Sequence, residues 1–148
     1  MPTREEFLDD VLPRFKTAER ALHNGDAAPR IAMWSQTDPT TVFGAAVSRA
    51  GWAEIRPMFE WLASSFADCT SYDVAVISAE AGVDYGYMVA IEHTTASVAG
   101  APSRPYALRV TTIFRREGDE WKIVHRHGDA IDDSSAELMV GLQGSSSP

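Results

Sequence analysis

Three polar side chains alternate along one stretch near the C-terminal end of the chain: His125, His127 and Asp129. If that stretch is a strand, a period of two puts all three on one face. Residues two apart then stand ~6.6 Å from each other, from a rise of ~3.3 Å per residue. Imidazoles at that spacing can chelate a metal, or act as bases, since an unperturbed histidine titrates at about 6.5. A metal needs a further ligand. Glu92 or His93 supplies one only if the neighbouring strands align, so no metal site is assigned. The competing reading puts both histidines on the outer face of a sheet, at a subunit interface. Arg126 has the opposite parity and makes a local positive spot in an acidic chain. Which parity looks inward decides between the two readings, and a bend at Gly128 would let either one reach a pocket mouth.

Other candidates are more isolated. Tyr85 and Tyr87 share a strand face with Val89, Ile91 and His93, and a phenol inside an apolar cavity is a good donor to a ligand carbonyl. Asp38 stands in a loop where a pocket-rim acid would fit, although Thr37 and Pro39 beside it favour a turn-forming role. Trp34 precedes that loop and is a candidate ligand platform, while Trp61 and Trp121 read as structural. Cys69 has no obvious base nearby and reads as a small packing residue. Phosphate loops, Gly-x-Ser-x-Gly elbows and paired-cysteine motifs are absent from the sequence, which excludes the easily recognised nucleotide and hydrolase classes.

The elements that must position these groups are legible. Thr3 and Glu6 form a capping box. Phe7, Leu8, Val11, Leu12, Phe15, Ala18 and Leu22 then follow a helical period, with Pro13 expected to kink it. Asn24-Gly25 stops that helix, and Asp26 is expected to cap a short second one through Trp34. Thr40–Phe43 and Ala46–Ser48 suggest a hairpin around Gly44. Trp52, Ile55, Phe59, Leu62 and Phe66 predict a third helix over about 51–67, with a kink or late start at Pro57. From Thr70 the period changes to two. Strands are expected through Val76, over Tyr85–Val98, over Tyr106–Arg116 and over Trp121–Asp129, and short turns between them require an antiparallel meander. Residues 132–148 read as a tail, with one or two amphipathic turns around Ala136–Leu142 and a disordered Gly-Ser-Ser-Ser-Pro end.

The chain has 148 residues, 45% apolar and 23% charged, with a formal charge of −8. That suits a single domain with a real core. The acidic balance argues against nucleic acid and against anionic membrane surfaces. No run approaches the ~20 apolar residues of a membrane span. A single cysteine, together with an N-terminal stretch that lacks a signal-like apolar run, points to a reducing, cytoplasmic setting.

The segment Leu108–His127, with its Arg115-Arg116-Glu117-Gly118 turn, Trp121 and the His125-x-His127 strand, resembles the closing hairpin of SnoaL-like domains. It is also similar to that of the association domain of calmodulin-dependent kinases. With the order of elements, the resemblance to the nuclear transport factor two-like superfamily covers about residues 3–130. It implies an α+β, cone-shaped roll: N-terminal helices packed in the concave face of a strongly curved, mainly antiparallel sheet, over residues 1–131. It also implies a pocket at the open end and a homodimer through the outer face of the sheet. In the kinase association domains, basic residues line the pocket. The resemblance therefore makes Arg109 an inward anion clamp, against the alternative of an Arg that reaches solvent or pairs with Glu92. Ketosteroid isomerase, a superfamily member, works with a Tyr and a protonated Asp around an Asp base. Both carboxylates cannot be assigned here, so that triad does not transfer.

The function expected is small-molecule binding without a cofactor, in an apolar pocket rimmed by Trp34, Tyr87, Arg109, Arg126 and His127, for a hydrophobic or carboxylate ligand. One alternative is a cofactor-free isomerase, cyclase or dehydratase acting on a hydrophobic carbonyl compound, with His127 or His125 as base, Tyr87 as donor and Asp38 a further candidate. The other is an oligomeric assembly module.

Overall fold

Thr3 and Glu6 start the first helix by exchanging hydrogen bonds. The Glu6 amide donates to Thr3 Oγ1 at 3.1 Å and the Thr3 amide to Glu6 Oε1 at 3.3 Å. In the computed structural model, which describes residues 1–143, this helix, α1, runs over Arg4–Leu22. Pro13 stands inside it on the exposed side, where water can satisfy the carbonyl that a proline leaves without a donor. Helix α2 is Ala28–Met33, with its cap position at Ala27, although Asp26 Oδ1 still accepts from the Ala28 amide at 3.0 Å. The hairpin strands β1 and β2 are Thr41–Phe43 and Ser48–Ala50. Helix α3 is Trp52–Ser65, starting ahead of Pro57 and running through it.

Four long strands follow: β3 (Phe66–Ala81), β4 (Tyr85–Val98), β5 (Arg104–Glu117) and β6 (Glu120–Ala130). They form the expected meander. The sheet order is β2-β1-β6-β5-β4-β3, with β1 parallel to β6 and every other pair antiparallel. The sheet is not closed. Its inner face packs on the helices through Phe7, whose ring stands edge-on to Phe114 and Trp121 at 5.3 and 5.2 Å. This is the α+β cone expected from the sequence.

A final helix, α4, covers Asp133–Gln143, longer than the one or two turns expected. Leu138, Met139 and Leu142 bury its apolar side in the common core cluster. Ser135 Oγ accepts from the Ala107 amide at 3.0 Å and so pins the helix to β5. The Gly-Ser-Ser-Ser-Pro end lies outside the described residues. Among those described, no helix is long and apolar enough to cross a membrane.

Strand β6 carries an irregularity that matters for the site. Phe114 pairs with Ile123, but Ile113 pairs with His125, so Val124 is an extra residue on β6. A bulge of this kind reverses the alternation of the strand beyond it. Trp121 and Ile123 face the core before the bulge, and Arg126 and Gly128 face it afterwards.

Candidate functional site

The inward parity of β4 is Met88, Ala90, Glu92 and Thr94, and that of β5 is Tyr106, Val110, Thr112 and Phe114; all are buried. Among these mostly apolar or small side chains, Glu92 and Tyr106 stand out. Arg126 joins them from β6. From the helices come Glu19 on the buried face of α1, His23 one turn further on at the C-cap of that helix, and Arg30 on α2. Glu92, Tyr106, Arg126, His23 and Arg30 converge on a cavity of about 50 Å³. Its other walls are apolar: Met58 and Leu62 of α3, Met139 and Leu142 of α4, and the β1–β2 turn from Gly44 to Val47. Gln143 Nε2 donates to the Ala46 carbonyl at 3.0 Å and ties α4 to that turn.

Every charge in this interior is paired. Arg126 Nη1 and Nη2 donate to Glu92 Oε2 and Oε1 at 2.7 and 3.0 Å, both side chains being under a tenth exposed. Arg30 Nε donates to Glu19 Oε1 at 2.9 Å, and its Nη2 donates to Oε2. Two-point contacts of this kind hold a guanidinium in a fixed plane. The Arg30 guanidinium also stands 5.0 Å over the Phe59 ring and that of Arg126 6.0 Å over Phe15.

His23 is oriented from both sides. Nδ1 lies 2.7 Å from the Glu19 backbone carbonyl and Nε2 2.5 Å from the Tyr106 hydroxyl. A carbonyl only accepts, so the proton sits on Nδ1, and in the neutral ring Nε2 accepts from the Tyr106 O–H. Burial is the main reason the ring resists protonation below its ordinary value, outweighing the nearby Glu19. Burial likewise pushes the Tyr106 phenol up, with the Glu92 charge adding to it. Glu19 is also penalised by burial, but the charges of Arg30 and Arg126 and the Arg30 hydrogen bonds overcome that and hold its carboxyl at about 2. Arg126 loses to burial and gains more from Glu92 and Glu19, so its proton is held more tightly than usual. The Tyr72 hydroxyl is buried beside the same charges, next to the Glu92 carboxylate but without a hydrogen bond of ordinary geometry.

Among the residues singled out from the sequence, Arg126 and Glu92 line this cavity, and the other candidate side chains lie elsewhere. Beyond the Val124 bulge, His125 and His127 face outward. His125 Nδ1 lies 2.7 Å from Thr41 Oγ1, and the Phe43 ring stands edge-on to both imidazoles at 5.5 Å. Neither histidine can act as a base inside the cone. Arg109, expected to point inward, is outward and 63% exposed, paired at two points with Asp129 across the β5–β6 register. It meets neither the cavity nor Glu92, which is taken by Arg126. Tyr87 is also outward, its hydroxyl 3.4 Å from Ser78 Oγ. Trp34 is 2% exposed, packed edge-on to Phe59 at 5.0 Å and bridged to Ile123; it is core, with no face on the cavity. Asp38 Oδ1 accepts from Thr40 Oγ1 and from the Trp52 amide, each at 2.9 Å, so it closes a turn and starts α3. His93 is on the outer face. Among the described residues, no three His, Cys, Asp or Glu groups are placed to hold a metal ion.

Sequence reasoning missed Glu19, His23, Arg30 and Tyr106. For Glu19 a signal existed: it falls one turn after Phe15, inside the apolar stripe that runs on to Leu22, where a solvated acid would not be placed. Tyr106 and Glu92 were open to the same test, since each continues an apolar alternation. The outer parity of β4 (Tyr85, Tyr87, Val89, Ile91) is as apolar as the inner one, so hydrophobicity alone could not choose between them.

The match to a family model for the SnoaL-like domain spans residues 12–132. The chain belongs to the SnoaL-like domain family. Several solved structures share its fold. A protein from Thiobacillus denitrificans, assigned as a calcium/calmodulin-dependent protein kinase type II association domain, is 20% identical, covers 89% of this chain and 98% of its own, and superposes with a TM-score of 0.64. A protein of the NTF2-like family from Streptomyces avermitilis, assigned as a dehydratase, is 15% identical over 88% and 99% of the two chains, with a TM-score of 0.67. One from Parabacteroides distasonis, assigned as a ketosteroid isomerase, is 13% identical over 78% and 83%, with a TM-score of 0.60. At these identities the likeness establishes the fold alone. No curated protein matches the chain.

Proposed function

We propose that the interior of the cone is a binding site for a small molecule. The observation that carries this reading is the convergence of five polar side chains, two of them guanidinium groups, on a cavity inside an otherwise apolar core. Burying ions costs several kcal/mol each even after relaxation, and apolar side chains would fill the same space at no such cost. A largely apolar pocket with a few fixed polar groups is the usual form of a ligand site.

Gly128 supplies the test. It lines the cavity, and a Cβ added there would meet nothing closer than 3.6 Å. The backbone there accepts a Cβ without a clash, and Gly128→Val is expected to fold and to fill the space with its two methyl groups. A thermal-shift screen of small carbonyl compounds, alcohols and carboxylates is expected to find compounds that stabilise the native chain and fail to stabilise Gly128→Val. No response to any class, or an equal response in the variant, would reject the reading.

Two further readings have specific support. His23 and Tyr106 form a hydrogen-bonded imidazole and phenol at the cavity wall; a carbonyl compound that drew the Tyr106 O–H to its own oxygen would free His23 Nε2 to accept a proton from that compound. That is the chemistry the names of the dehydratase and isomerase neighbours suggest. Loss of solvent-exchange catalysis at the α-carbon of a bound ketone in His23→Gln would support it. The outer sheet face carries Phe43, Ile77 and Tyr85 at 47%, 62% and 55% exposure. An apolar face of this kind suits a homodimer through the sheet. Light scattering that gives a monomer at micromolar concentration would reject that arrangement.

A further inference from the structure

The charges around the cavity select its ligand, if the cone interior is a binding site as proposed above. Arg30 and Arg126 are the cationic side chains on its wall. Each already meets a buried carboxylate at two points, Glu19 and Glu92 respectively. The two cations and two anions cancel. His23 adds no charge, because its Nδ1 proton is committed to a backbone carbonyl and its Nε2 lone pair to Tyr106. A carboxylate or phosphate entering this space would bring an uncompensated charge into a desolvated site, or would have to displace Glu19 or Glu92 from a buried pair. A cation would meet carboxylates whose oxygens are already engaged by guanidinium groups.

An uncharged ligand meets neither obstacle. A guanidinium has five N–H donors in a fixed fork, and each of these pairs uses two of them. The remaining N–H groups suit the lone pairs of a carbonyl, amide or alcohol oxygen. Met58, Leu62, Met139 and Leu142 provide apolar wall for the rest of the molecule. We infer that the cone interior takes small uncharged carbonyl or hydroxyl compounds and rejects anions, and that Glu92 and Glu19 are the residues that enforce the rejection.

The experiment uses the full chain and a set of probes of one size: butanone, butyramide, butyrate and butylammonium, at constant ionic strength. Binding is followed by calorimetry and by thermal shift, and is assigned to the interior by its loss in Gly128→Val. In the native chain, butanone or butyramide is expected to bind at least about tenfold more tightly than butyrate or butylammonium. Glu92→Gln leaves the Arg126 charge uncompensated. It is expected to bind butyrate at least about tenfold more tightly than the native chain does, with little change for butanone. If Glu92→Gln does not fold, Glu92→Gln combined with Arg126→Gln removes both charges and should keep the native preference for uncharged probes. Butyrate binding the native chain as tightly as butanone would overturn the inference and leave the binding-site reading standing. No interior binding of any probe would overturn both.

Discussion

Arg126 on β6 reaches past β5 to Glu92 on β4, and the two side chains meet inside the cone at 2.7 and 3.0 Å. The pair joins two strands that are not neighbours in the sheet. Removing one partner leaves the other buried and uncompensated. Glu92→Gln is expected to destabilise the fold by about 3–5 kcal/mol in urea unfolding at neutral pH. Replacing both, as Glu92→Leu with Arg126→Met, is expected to recover most of that loss, since apolar groups of similar volume carry no desolvation cost.

Acid should weaken the fold in two stages. Burial holds His23 neutral below its ordinary value of 6.5. Below that value the unfolded chain takes up a proton that the folded one refuses. The stability His23 contributes is therefore complete above about 6.5 and falls as the pH drops through and below it. His125, also lowered chiefly by desolvation, acts in the same direction. Glu19 is held at about 2 against an ordinary 4.5, so its contribution is lost only as the pH falls below about 4.5 toward 2. Urea midpoints are expected to decline from neutral pH to about 5, and His23→Gln should flatten that decline more than His125→Gln does.

Gly86 lies on the inner face of β4 against the Phe7 ring. A Cβ there would stand 3.0 Å from two ring carbons and 3.1 Å from Ala81 Cβ. Phe7 is itself wedged against Phe114 and Trp121 and cannot retreat without disturbing both. Gly86→Ala is expected to cost about 1–3 kcal/mol by overpacking, read as a lower midpoint with an unchanged m-value.

Arg109 provides the opposite case. It is paired with Asp129 on the outer surface, where water screens the interaction. Arg109→Ala should leave the melting temperature and the response to interior ligands unchanged. A loss of ligand response in this variant, with the fold intact, would move the site to the outer face.

Tyr72 has a buried hydroxyl that makes no hydrogen bond of ordinary geometry, although the Glu92 carboxylate lies beside it. Tyr72→Phe removes a poorly satisfied polar atom and keeps the ring, so it should be neutral or stabilising by up to about 1 kcal/mol. A loss of stability would mean that the hydroxyl is satisfied in solution.

Local chemistry was enough to place the elements. The Thr3–Glu6 box, the Phe7–Leu22 stripe, the switch to period two and the Gly118 turn each act over a few residues and can be read from them. The sequence by itself also determined that His125 and His127 face one way and Arg126 the other, because strand alternation guarantees it. Which of the two faces looks inward was decided by tertiary structure. Trp121 and Ile123 face the core, and an unbroken strand would have carried His125 and His127 inward after them. One extra residue at Val124 reverses the alternation, so Arg126 enters the cone and the histidines leave it. A bulge is a matter of register with β5, a partner strand reached through the fold, and the composition of β6 does not encode it. The pairing of Arg126 with Glu92, and of Arg30 with Glu19, depends on the same long-range assembly.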